Sequence, residues 1–146
     1  MQRAKIFRFA PLLAVALLGC DGASKESFDK QHSHVRAIAA QYMRASSKLG
    51  HNPRDEQEFK KALASLKIPL PALNVNSIDE LFISERDHEP LVVVYGSPPK
   101  GSDVVVYEKT GIDGKHYAGH MIGMVEELDQ EELTKALGQN EPNRRP

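Results

Sequence analysis

The order of hydrophobic patterns along the chain predicts an α+β domain, with N-terminal helices packed on a small, mainly antiparallel sheet and a short C-terminal helix. Three observations carry this. Helical apolar spacing runs from Phe28 to about Leu66, β-branched and aromatic runs between turn residues follow from Leu81 to Leu128, and a capping box opens a last helix at Asp129. At 146 residues, 40% hydrophobic and 27% charged, the chain has room for one such core, at residues 28–138.

Phe28, Val35, Ile38, Ala39, Tyr42, Ser46 and Leu49 fall near one helical stripe, with Lys30, Arg36, Gln41, Arg44 and Lys48 mostly elsewhere. Gly50 is the stop. A second helix is expected with Asn52 as cap, Pro53 at the first helical position, Asp55 and Glu56 in the first turn, and Phe59, Ala62, Leu63 and Leu66 on its apolar face. Two prolines within Ile68–Leu73 favour an extended covering segment. Ser77, Ile78, Asp79 and Glu80 read as a capping box opening one short turn.

From Leu81 the period changes. Leu81 to Ile83 and Leu91 to Tyr95 read as a hairpin or adjacent strands around the polar stretch 84–90. After the loop Gly96 to Gly101, Val104 to Tyr107 reads as a third strand and Gly111 to Gly114 as a turn. Lys115–Met121 and Met124–Leu128 read as a closing hairpin about Ile122 and Gly123. In the last helix Asp129 and Glu132 form the capping box, Leu128 and Leu133 a hydrophobic staple, and Leu133, Ala136 and Leu137 the buried face. The polar tail, residues 139–146, reads as disordered.

The first residues have a different character. Arg3, Lys5 and Arg8 precede the apolar run Phe9–Leu18, the pattern of a secretory signal. That run is shorter than the roughly 20 residues needed to cross a bilayer as a helix. It ends in Leu17-Leu18-Gly19-Cys20, which resembles the lipobox of bacterial lipoproteins; Leu18 stands where Ala, Ser or Thr is commoner. The resemblance implies cleavage between Gly19 and Cys20 and lipid on Cys20, the single cysteine of the chain. The expected location is the extracytoplasmic face of a bacterial membrane in the cell envelope, with residues 20–27 as a flexible tether. Asp21, directly after Cys20, resembles the enterobacterial signal for retention on the inner membrane, and the resemblance implies that lean.

Three of the 19 Lys and Arg residues lie in this leader, so 16 basic groups face 20 acidic ones in the remainder, a net charge of −4. An acidic domain without a basic, aromatic-studded patch is a poor nucleic-acid binder.

The C-terminal half resembles the globular domain of bacterial pseudopilin-like proteins. Val104-Val105-Val106-Tyr107-Glu108-Lys109, a Gly-rich turn, Gly123-Met124-Val125-Glu126-Glu127-Leu128 and a capped helix carry the likeness. The helix bearing Tyr42, the Gly50 and Pro53 break, and Ser84-Glu85-Arg86-Asp87 before Pro90 fit the same layout, so the resemblance runs from Val35 to Leu137. Two departures stand out: Ile122 and Met124 replace the Asp and His of the family motif, and a lipobox stands where a pseudopilin carries its filament-packing helix. Filament assembly through that helix is therefore not expected; the lipobox, the acidic remainder and the missing active-site motifs point to a non-enzymatic binding or scaffolding module with an envelope protein as partner.

No catalytic residues are expected. There is no Gly-x-Ser-x-Gly elbow and no His-Glu-x-x-His run. In Gly96 to Ser102 two prolines remove amide donors that would cradle a phosphate. No cofactor is expected. His32 and His34, two apart on a helix, point away from each other, while His116 and His120, four apart on a strand, sit about 13 Å apart. His116 and His120 are weak metal candidates and carry the alternative reading, a metal-binding envelope lipoprotein; solvent-exposed histidines are the plainer expectation. Asp79, Glu80, Glu85, Asp87 and Glu89 lack the EF-hand spacing and read as a solvated acidic loop. Ile68–Leu73, and Met121, Ile122 and Met124 near a turn, are candidate docking patches, with core packing the plainer expectation for most of them.

Overall fold

Ser33 decides where the first helix begins. In the computed structural model, which describes Asp29 and residues 33–138, Ser33 has an extended backbone and its hydroxyl accepts the Arg36 N–H. The helix α1 therefore spans His34–Leu49 and does not run unbroken from Phe28 as predicted. It ends at Gly50, whose φ of 75° is the left-handed value a C-terminal stop requires. Val35, Ile38, Ala39 and Tyr42 are buried as their spacing predicts, and Gln41, expected on the solvent face, is buried beside them. The leader with Gly19 and Cys20, the tether 20–27 and the tail 139–146 lie outside the described residues.

Helix α2 spans Glu56–Ser65 and is capped by Asp55, whose side chain accepts the Glu58 N–H. Asn52 is not the cap and Pro53 precedes the helix. The Asn52 amide instead donates to the Gly96 carbonyl at 2.9 Å and the Gly96 N–H donates to the Pro53 carbonyl at 2.8 Å, stitching the inter-helix turn to the loop after the first strand. Phe59, Ala62 and Leu63 form the buried face.

Ile68–Leu73 is not fully extended: Leu70–Leu73 forms one 3-10 turn. Pro71 near its start lacks an N–H that a helix start leaves unpaired anyway, so the ring is accommodated. The Ser77 hydroxyl accepts the Glu80 N–H as a cap, but Glu80 turns its carboxylate to the Asn76 N–H rather than to Ser77, so the box is half formed. The turn it opens, Glu80–Phe82, replaces the predicted strand there. Leu81 and Phe82 are both buried under the helices, and only Ile83 pairs, as a single bridge to Pro90.

The sheet is an antiparallel meander in the order β1-β2-β3-β4, formed by β1 (Leu91–Val93), β2 (Val104–Glu108), β3 (Lys115–His120) and β4 (Val125–Asp129). Strand β1 stops two residues before the predicted Tyr95. Between Gly111 and Gly114 the chain turns so tightly that a Cβ on Gly111, at φ 67°, would meet the Lys115 carbonyl oxygen. Helix α3, Gln130–Ala136, begins with the predicted capping box of Asp129 and Glu132.

Two apolar clusters lie on this sheet. The larger joins α1, α2 and the 70–82 turns to Val93, Val105, Val106 and Tyr117; the smaller joins Val104 and Ala118 to Leu133 of α3 and Leu137 just after it. The β2–β3 register slips between Val104 and Val106, the point at which the run of three valines divides between the two clusters. The predicted α+β class is the observed one. Among the described residues no helix is long and apolar enough to cross a membrane.

Candidate functional site

Strand β2 ends in a carboxylate that is enclosed by protein. Glu108 is 1% exposed. Its Oε1 accepts the Ser84 hydroxyl at 2.8 Å, and its Oε2 accepts the Tyr117 N–H at 2.8 Å and Arg86 Nη1 at 3.1 Å. The second arm of the guanidinium reaches Glu127 Oε1 at 3.3 Å, and its carbon lies 3.7 Å from the centre of the Tyr117 ring. Ser84 Oγ also accepts the Arg86 N–H, so the loop folds around the group it binds. Burial pushes the Glu108 carboxyl above its ordinary value, against the downward pull of the Tyr117 N–H, the Ser84 hydroxyl and Arg86.

With both oxygens engaged, this node pins loop 84–90 across β2 and β3. Asp87 extends the clamp by accepting the Gly111 N–H at 2.8 Å. Outside the node, Arg86 and Tyr117 line a cleft of about 310 Å³ with Glu85 and Asp29.

The acidic residues expected to form a solvated loop have separate engagements. Asp79 pairs with Lys60, Glu80 accepts from Asn76, and Glu85 accepts the His34 N–H. They do not converge on a point.

His116 and His120 share one face of β3, but the expectation of solvent-exposed rings is overturned, because both are buried. His116 Nδ1 is 3.0 Å from the Glu108 carbonyl oxygen. His120 sits between two carboxylates, with Nδ1 at 2.7 Å from Asp103 Oδ1 and Nε2 at 3.4 Å from Glu126 Oε2 without hydrogen-bond geometry. The two rings engage different partners at the two ends of the strand. Among the described residues no three His, Cys, Asp or Glu side chains are grouped so as to hold a metal ion. His34, at the start of α1, turns its Nδ1 to the Ile83 carbonyl.

The β3–β4 turn presents a different surface. Ile122 is 71% exposed and Met124 49% exposed, and the carbonyl of Gly123 between them accepts Arg36 Nη1 from α1 at 3.1 Å. A Cβ on Gly123 would stand 3.7 Å from Ala40 Cβ, and Met43, one turn further along α1, is also exposed. An apolar turn braced on a helix can present its side chains to a partner without reordering the backbone.

No protein-family model, curated protein or solved structure matches the chain.

Proposed function

We propose that this chain is a lipid-anchored envelope protein whose α+β domain is a non-enzymatic binding or scaffolding module on the extracytoplasmic face of a bacterial membrane. One observation carries the proposal: a basic segment and an apolar run lead directly into Leu17-Leu18-Gly19-Cys20, and the thiol there is the chain's single cysteine. Two or three acyl chains, each contributing about 0.8 kcal/mol per buried CH₂, anchor a polypeptide without help from its folded part. The exposed turn at Ile122 and Met124, the acidic balance of the mature chain and the pseudopilin-like pattern of its C-terminal half support a role in holding another envelope protein.

Intact mass and membrane fractionation of the wild type beside Cys20→Ser test the anchor. The expected wild type sediments with membranes, lacks residues 1–19 and carries an acyl mass, while the variant does none of these. Two soluble proteins with identical processing would refute it. The binding role is tested by crosslinking in intact cells, where Ile122→Asp together with Met124→Asp should abolish an adduct that the wild type forms. An adduct that survives both changes removes that surface.

A further inference from the structure

The proline-containing segment covers an aliphatic groove. Leu63 of α2, Ile68, Leu70 and Leu73 of the segment, and Ile78 and Leu81 beyond it enclose about 270 Å³. Its walls, completed by Ala64, carry no polar side chain and no aromatic ring. Four of these residues, Ile68, Leu70, Leu73 and Ile78, are only half-buried, so the groove opens to solvent along the segment. The two non-glycine residues beside the segment, Lys67 (φ 51°) and Asn74 (φ 56°), hold left-handed backbone, which bends the chain out of α2 and back toward Val75.

A closed apolar cavity of about 150 Å³ lined by Leu, Ile and Phe takes benzene, and this open groove offers hydrocarbon a lining of the same kind. At about 30 Å³ for a water-sized group, the groove holds roughly nine methylenes, the greater part of a medium acyl chain.

The mouth at Ala64 adds charge. Ala64 also lines a neighbouring cleft with Glu56, Gln57, Lys60 and Lys61. Lys60 is engaged by Glu56 and Asp79, and its ammonium lies 4.7 Å from the centre of the Phe82 ring. Lys61 makes no ion pair among the described residues, and Lys48 donates to the carbonyl of Ser65, next to Ala64, at 3.0 Å. Lys61 therefore lines the cleft that shares Ala64 with the groove, and the Lys48 ammonium is held at the residue next to Ala64.

We propose that this groove binds a fatty acid, with its alkyl chain under Leu70 and Leu73 and its carboxylate beside Lys61 and Lys48. The inference goes beyond the envelope-anchor reading and stands whether or not Cys20 carries lipid.

The test uses the full chain with Cys20→Ser, which bears no acyl group of its own, titrated calorimetrically with dodecanoate below its micellar concentration. Saturable binding of one dodecanoate per chain is expected. Ala64→Phe, an exposed position that would block the mouth, should weaken it at least tenfold. Lys61→Glu should weaken dodecanoate several-fold while leaving dodecanol nearly unchanged, and as a surface change it leaves the fold intact. Non-saturating heats, or equal affinity in Ala64→Phe with unchanged circular dichroism, would overturn the site. Equal dodecanoate affinity in Lys61→Glu would overturn the carboxylate placement. Capture by phosphatidylglycerol vesicles without dodecanoate binding would mean a membrane surface contact and would also overturn it.

Discussion

The Arg86 guanidinium stacks on the Tyr117 ring at 3.7 Å and donates to the Glu108 carboxylate at 3.1 Å, so one side chain from a loop closes both the apolar and the charged side of a buried site. The consequence is a loop whose attachment rests on electrostatics enclosed by protein. Removing the cation leaves Glu108 accepting from Ser84 and Tyr117 but without a counter-charge, and breaking a buried pair in this way costs about 3 to 5 kcal/mol. Arg86→Met should therefore lose about 3 kcal/mol in urea unfolding at pH 7. Adding Glu108→Gln should recover part of that loss, because the neutral amide needs no cation. A loss under about 1 kcal/mol would mean that the stacking and the pair contribute little net stability.

Glu108 also sets a pH dependence. Burial raises its folded value above the unfolded one, so the folded state holds this proton more tightly. The contribution is fully present below the unfolded value, about 4.3, and is lost as pH rises through the folded value. Asp129 and Glu80 act oppositely. Backbone N–H groups of Glu132 and Asn76 hold them below their ordinary values, so their contributions are lost as pH falls. Unfolding midpoints of wild type and Glu108→Gln from pH 4 to pH 7 separate the two effects, and the wild type should lose stability relative to the variant as pH rises. A difference curve with the reverse slope would show that Arg86 and the Tyr117 N–H outweigh burial.

The fold was legible wherever local chemistry and tertiary packing agreed. The Asp129 capping box, the hairpin between Lys115 and Leu128 and the Gly50 stop each follow from side chains within a few residues. Leu81 and Phe82 misled because a short apolar run suits a buried turn as well as a strand, and only the covering α1 and α2 show which. Asn52 is an equally good cap by residue type, and its bond to Gly96, 44 positions away, is a tertiary fact. The buried node around Glu108 is the feature least visible in the sequence. One signal for it existed: Glu108 shares strand parity with Val106, so a carboxylate was bound for the buried side of β2. Arg86 as its partner, from a loop 22 residues earlier, was not readable.

Helix α1 lies so close to β3 that position 119 has no room for a side chain. A Cβ on Gly119 would stand 2.8 Å from Val106 Cγ1 and 3.0 Å from both Ala39 Cβ and Val35 Cγ1. Gly119→Ala should cost about 1 to 3 kcal/mol through overpacking, seen as a lower urea midpoint with an unchanged slope. Pairing it with Val35→Ala opens space at one of the three contacts, and the double variant should be more stable than the sum of the single losses. Strict additivity would place the strain elsewhere.

Tyr42 is fully buried on α1, with its ring 5.4 Å from that of Phe59 in an edge-on contact, and its hydroxyl has no hydrogen-bond partner among the described residues. Burial pushes that hydroxyl up to about 12, so it is a neutral phenol at any ordinary pH. An unpaired buried hydroxyl costs about 1 to 3 kcal/mol of desolvation, which Phe would not incur, while the edge-on ring contact survives the change. Tyr42→Phe should be neutral or raise stability by about 1 kcal/mol in urea unfolding, whereas Tyr42→Leu should lower it by removing the ring contact. A clear loss in Tyr42→Phe would show that the hydroxyl has a bonding role, and hydrogen exchange of α1 amides in the two proteins would then locate its partner.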